Sequence, residues 1–145
     1  MLHRPFKMVL VDDEPEIIDI LSECIQDMFP GIFEVKIFSD PVNALEYIKE
    51  EAVLIVITDV RMPHINGDHL NLKIKQLGKG VQTIILTGNQ SYMTAITCFR
   101  DGANGYISKP FEMVDIQKTI QSVLETILSW EKVFEKVTHQ VKEAS

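Results

Sequence analysis

Five residues carry the chemistry in this chain, and each stands at the end of an apolar run. KMVLV leads to Asp12-Asp13, VLIVIT to Asp59, TIIL to Thr87 and GYIS to Lys109. Three carboxylates brought to one place repel each other, and a hard divalent cation relieves the repulsion. Mg²⁺ fits best, because it accepts few carboxylates together with water and phosphate oxygens. Lys109 adds a fixed positive charge and Thr87 a hydroxyl donor. Such a set would make a pocket for a phosphoryl group, with cation and ammonium absorbing its charge and one carboxylate free to attack phosphorus. Taken singly, each residue has a plainer reading: a strand end, a helix cap, a loop acid, a β-former, a solvated charge. Only convergence gives them a common purpose.

The elements around them supply that convergence. Lys7–Val11, Phe33–Phe38, Val53–Thr58, Thr83–Leu86 and Gly105–Ser108 read as strands. Between them lie helical patterns. The first starts at Pro15 with Asp13 or Glu14 as cap, carries Ile17, Ile18, Leu21, Cys24, Ile25 and Met28, and stops at Pro30-Gly31. The second is capped by Ser39 or Asp40 ahead of Pro41 and turns Ala44, Leu45 and Ile48 inward; the third covers Leu70–Leu77 and the fourth Ser91–Phe99, ended by Gly102. The last opens at Pro110-Phe111. Near-continuous apolar strands alternating with helices predict an α/β fold: a five-stranded parallel, doubly wound sheet covered on both faces. In such sheets ligands sit beyond the carboxyl ends of the strands, near the topological switch point. All the singled-out residues fall on that rim.

Bulk properties set the outer bounds. The chain has 145 residues, 46% of them hydrophobic and 24% charged, with a formal net charge of -7. That length suits one domain with a sizeable core, and the acidic balance argues against direct nucleic-acid binding. Cys24 and Cys98 are far apart and read as small buried thiols, not as a disulfide or zinc site. His3, His64, His69 and His139 form no metal-ligand pattern. With neither a signal-peptide pattern nor a membrane-spanning run, the expectation is a cytoplasmic protein away from the membrane.

Asp12-Asp13, Asp59 within DVRMP, Thr87 and Lys109-Pro110 stand in the order and spacing of the receiver domains of two-component response regulators, which the chain resembles over roughly residues 5–128. The resemblance implies a flavodoxin-like fold and a phospho-accepting switch, not an enzyme acting on an external substrate. Asp59 would take a phosphoryl group from a histidine on a sensor kinase or phosphotransfer protein. Asp13, Asp59 and the backbone carbonyl of Arg61 would ligate Mg²⁺, with Asp12 holding it through water. Thr87 and Lys109 would grip the phosphoryl oxygens, and Tyr106 would be the aromatic that turns inward when the threonine moves. Arg61 and Asn89, two residues beyond Asp59 and Thr87, would tune the phosphoryl lifetime, and the Lys109-Pro110 bond would be cis. One departure stands out: Gly88 follows Thr87 where the family usually has alanine or serine.

The last helix outruns the domain. Ile120, Val123, Ile127, Trp130, Phe134, Val137 and Val141 alternate steps of three and four, an a/d seam of three heptads. A helix from Phe111 to Lys142 would be ~48 Å long at 1.5 Å per residue, so residues 1–128 are expected to form the receiver and 129–145 an extension. That extension predicts a parallel homodimeric coiled coil or a signalling helix leading to an output domain, against the alternative of a tail folding back. Two rival functions remain open on sequence. A Mg²⁺-dependent phosphohydrolase would want a second acid two residues after its nucleophile, where Arg61 stands, and a pseudo-receiver would want a broken pocket.

Overall fold

β-Branched and aliphatic runs build the middle of the sheet. The computed structural model describes residues 2–62, 65–88 and 92–144. Strands β1 (Phe6–Val11), β2 (Phe33–Phe38), β3 (Val53–Asp59), β4 (Gln82–Thr87) and β5 (Gly105–Ser108) alternate with helices α1 (Pro15–Met28), α2 (Pro41–Glu50), α3 (Gly67–Gln76), α4 (Tyr92–Arg100) and α5 (Met113–Ala144). All strand pairs are parallel, in the order β2-β1-β3-β4-β5. The three central strands are buried almost throughout, whereas β2 and β5 at the edges are partly exposed. The doubly wound α/β fold expected from the alternation is therefore the observed one.

Alternate residues of each strand feed two layers. Met8, Leu10, Ile55, Ile57, Ile84 and Ile107 pack against α1 and α5 through Leu21, Ile25, Ile116 and Ile120. Val9, Val11 and Val56 pack against α2 and α3 through Ala44, Ile48, Leu70 and Ile74. Each fully buried aliphatic side chain contributes roughly 1.5–3 kcal/mol of transfer free energy. Helix α4 is held more lightly: Cys98 is its one buried residue, against Ile85 and Val60. A polar bridge reinforces it, since Asn71 of α3 accepts from the Thr83 hydroxyl and donates to the Cys98 carbonyl at 3.4 Å. Among the described residues, every buried side-chain nitrogen and oxygen has a hydrogen-bond partner.

Several boundaries differ from the sequence reading. Helix α3 begins at Gly67, three residues ahead of the first apolar position, because its opening turn is polar and carries no periodic signal. Helix α5 begins at Met113 and not at Pro110-Phe111. Glu14 occupies the N-cap of α1 without a side-chain cap bond; the Asp12 carboxylate accepts from Glu14 N–H at 2.9 Å instead. For α2 the cap is Asp40, which accepts from Val42 N–H at 2.9 Å. Cys24 is only partly buried, unlike Cys98. The expected start of α4 at Ser91 lies outside the described residues.

Helix α5 continues unbroken to Ala144 and does not fold back. Its inner face is buried from Ile116 to Ile127, and beyond Glu131 every described residue is exposed. At 32 residues it is about 48 Å long. Among the described residues no helix is long and apolar enough to cross a membrane.

Candidate functional site

Register decides which strand ends meet. Val11 is level with Thr58, so Asp12 lies level with Asp59 on the neighbouring strand. Asp59 is level with Leu86, which puts Thr87 one residue further out, and Thr87 is level with Ser108, which puts Lys109 further still. Strand order reverses between β1 and β3, so Asp12 and Asp59 flank the switch point where doubly wound sheets hold ligands. Lys109 leaves β5 with its backbone N–H donating to the Thr87 carbonyl at 2.8 Å, and its Lys109-Pro110 bond is cis.

The Lys109 side chain turns back over the rim. Its Nζ donates to Asp12 Oδ2 at 2.9 Å and to Asp59 Oδ2 at 3.1 Å, and stands 3.9 Å from Glu14 Oε1. Both aspartates are buried, at 2% and 5% exposure. Burial pushes the Lys109 ammonium down, but its hydrogen bonds and charge pairing with Asp12 and Asp59 push harder, and its pKa is raised above the ordinary 10.5. Arg61 N–H points at Asp59 Oδ1, at 3.3 Å. Ligand atoms of Asp12, Asp13, Glu14 and Asp59 all lie within 4.8 Å of one another. Asp13, Glu14, Asp59, Arg61, Thr87, Gly88 and Lys109 line one cavity of about 410 Å³. A cluster of hard oxygen donors is the donor set that a small divalent cation prefers.

The strand-end residues are thus brought together, but Tyr106 stands apart. Tyr106 is 37% exposed and lines a separate cavity against α4, with Cys98 and Phe99. Asn89 lies outside the described residues. Two neighbours of the site were not singled out from sequence. The sequence offers Glu14 only as a cap, although it directly follows Asp12-Asp13 at the end of β1. Gly67 packs its backbone on the site from beneath: its N–H donates to the Val60 carbonyl at 2.7 Å, and a Cβ there would lie 1.9 Å from the Asp59 carbonyl oxygen. The sequence signal was the Asn66-Gly67 pair behind the DVRMP loop.

Gly88 can be tested at once. A Cβ added there would meet Lys109 Cβ at 3.4 Å and Cδ at 3.7 Å, ordinary contact distances, and no positive φ protects the glycine. Gly88→Ala is expected to raise stability by about 0.4–1 kcal/mol, by restricting the unfolded chain while packing on the Lys109 stem. Urea denaturation checks this, and destabilisation would show that the backbone after Thr87 needs glycine.

A parallel, doubly wound sheet with buried acids and one lysine joined over its switch point defines an α/β module whose polar site lies at the carboxyl rim. Comparison with known proteins makes the class specific: residues 8–121 match the response regulator receiver domain, and the chain belongs to that family. It is similar to the regulatory protein VanRc of Enterococcus gallinarum, 32% identical over 118 residues that make up 81% of this chain and 49% of that protein. The chain thus spans about half the length of that relative. Among solved structures, a response regulator receiver domain protein from Clostridium thermocellum is 27% identical with a TM-score of 0.76, covering 85% of this chain and 98% of the other. The BeF3-activated DrrB receiver domain is 28% identical with a TM-score of 0.73, covering 86% and 99%. Membership in this family makes the chain a phospho-accepting signalling module of two-component systems.

Proposed function

We propose that Asp59 is the phospho-acceptor of a cytoplasmic switch, charged by a histidine of a sensor kinase or phosphotransfer protein. The observation that carries this reading is the Lys109 ammonium bridging Asp59 and Asp12 over a cavity that also reaches Thr87. An Asp59 carboxylate oxygen attacks phosphorus, the phosphorus–nitrogen bond of the phosphohistidine breaks, and the imidazole keeps the electron pair and takes up a proton. Lys109, already charged and nearly buried, neutralises the phosphoryl oxygens without having to be recruited. Arg61 N–H steadies the attacking carboxylate. Asp12, Asp13, Asp59 and the Arg61 carbonyl are the groups that would hold Mg²⁺, which supplies further charge neutralisation when bound.

The acyl phosphate adds charge and acceptor oxygens where a carboxylate stood. The Thr87 hydroxyl is drawn toward it and Tyr106, half out of the fold in this structure, moves into the space vacated. Such a change biases two arrangements of the lightly held α4 and its neighbour β5. The α5 extension then relays the change, through a parallel homodimer or to an output domain such as the longer relatives have room for. Arg61, two residues beyond Asp59, and Asn89, two residues beyond Thr87 in the sequence, set how readily water reaches the acyl phosphate.

Intact-mass measurement after incubation with acetyl phosphate and Mg²⁺ tests the assignment. Wild type is expected to gain one phosphoryl group and Asp59→Asn none. Equal labelling of Asp59→Asn would remove Asp59 from the role, and rapid turnover of many phosphate esters by wild type would favour a hydrolase.

A further inference from the structure

The exposed end of α5 presents an apolar stripe of Trp130, Phe134, Val137 and Val141, each 43–63% exposed. It prolongs the face that Ile116, Ile120, Val123 and Ile127 bury against the sheet. The rings of Trp130 and Phe134 stack with centroids 6.1 Å apart, and they line an apolar cavity of about 280 Å³ with Leu2, Leu54 and Ile127. Half of one continuous seam is thus covered by the chain's own domain, and the other half is left to a partner.

Charge around the stripe identifies the partner. In heptad terms the flanking positions hold Glu131, Val133, Thr138 and Gln140, while Lys132, Glu135, Lys136, His139, Lys142 and Glu143 fall on the opposite side. Apart from Glu131 the flanks are uncharged, so they neither select an oppositely charged partner nor repel an identical helix. The Glu131 carboxylate is itself taken up within the chain. Arg4, ahead of β1, makes a two-pronged ion pair with it, Nη2 to Oε1 at 2.7 Å and Nη1 to Oε2 at 3.2 Å. The Arg4 guanidinium also lies 5.0 Å from the centroid of the Phe6 ring, which fixes where it reaches. The Glu131 side chain is only 13% exposed despite its place on a protruding helix. An N-terminal arginine has cancelled the single charge that would disfavour a symmetric seam.

We propose that the Trp130–Val141 stripe is a homodimer interface whose affinity Arg4 sets by neutralising Glu131 of its own chain. The inference rests on the self-association reading given above. Without Arg4, an unpaired carboxylate loses water when the partner helix covers Trp130 and Phe134, and the two-fold places a second one at the same seam. The protruding end, residues 129–144, is little more than two heptads long, too short for a helix–helix contact indifferent to such a cost.

Sedimentation equilibrium of the full chain, with and without acetyl phosphate and Mg²⁺, provides the test. Wild type should associate to a dimer and a chain lacking 129–145 should not; a wild-type monomer in both states, or a truncated dimer, overturns the self-association reading and this one with it. Given a wild-type dimer, Arg4→Ala should raise its dissociation constant roughly fivefold at low salt, with the gap closing at high salt. Arg4→Ala combined with Glu131→Gln should recover wild-type affinity. Unchanged affinity in Arg4→Ala, or a loss that Glu131→Gln does not repair, overturns the role of Arg4 alone. Glu131→Gln by itself should dimerise at least as well as wild type, and weaker association would count against the proposal even if Arg4→Ala failed to fold. Phosphoryl labelling at the opposite rim reports that each variant is folded.

Discussion

Lys109→Met is expected to lower the thermal midpoint by about 10 °C and to slow acetyl-phosphate labelling of Asp59 roughly a hundredfold or more. Methionine keeps most of the aliphatic stem, so the loss isolates the ammonium from the packing beneath it. What remains is two buried carboxylates, Asp12 and Asp59, with their shared cation gone and Asp13 and Glu14 close by. Removing one partner of a buried ion pair costs about 3–5 kcal/mol, because a charge is left uncompensated in a poorly hydrated place. The two effects should separate on adding Mg²⁺. A divalent cation among the acids restores part of the midpoint, since it supplies the missing charge. It does not restore labelling, because it cannot stand where Nζ stands between Asp12 and Asp59. The pH dependence has a fixed sign. Lys109 has its pKa raised in the folded state, so its contribution is fully present below the unfolded value of 10.5 and is lost only as pH climbs through the higher folded value. The difference between wild type and Lys109→Met should therefore stay level from neutral pH to about 9. A difference that disappears well below that range would assign the stabilisation to another group.

This cluster was legible in the sequence because every member ends an apolar run. Parallel strands of similar length place their ends on one rim, so Asp12, Asp59, Thr87 and Lys109 can be brought together without knowledge of a single contact. Strand type carried the inference: VLIVIT cannot be a surface strand, and a central strand fixes where its tip must lie. What stayed hidden depended on contacts between distant segments or on groups without chemical character. The pairing of Arg4 with Glu131 joins residues 127 positions apart, and neither lies in a pattern that names the other. Glu14 has two possible uses, cap and site wall, and composition cannot choose between them. Helix α3 starts in a polar turn whose residues match no hydrophobic period. Tyr106 was legible as a strand aromatic, but its outward position against α4 depends on packing that no sequence pattern names.

Gly67 shows the limit most plainly, and it leads to the second large effect. The residue has no side chain to suggest a role, yet it decides where Asp59 stands. Its amide donates to Val60, and a Cβ would fall 1.9 Å from Asp59 O, 2.8 Å from Asp59 C and 2.8 Å from Val60 Cα. All three are backbone atoms, so no side chain can swing aside to make room. Gly67→Ala must therefore push either the first turn of α3 or the end of β3. Helix α3 is anchored by Leu70, Asn71 and Ile74, all nearly inaccessible, and β3 is the central strand of the sheet. Because both are fixed, the strain should fall on the Asp59–Val60 peptide between them. The expected cost is about 3 kcal/mol, at the upper end for added bulk in a close-packed site. A shift of that peptide by about 1 Å also carries the Asp59 carboxylate off its line to Lys109, which should cut labelling roughly a hundredfold. Glycine in a helical first turn normally costs stability relative to alanine, so intrinsic propensity predicts the opposite sign for the midpoint. Melting Gly67→Ala beside wild type thus sets steric contact against propensity, and a more stable, fully labelled variant would mean that α3 can retreat without disturbing Asp59.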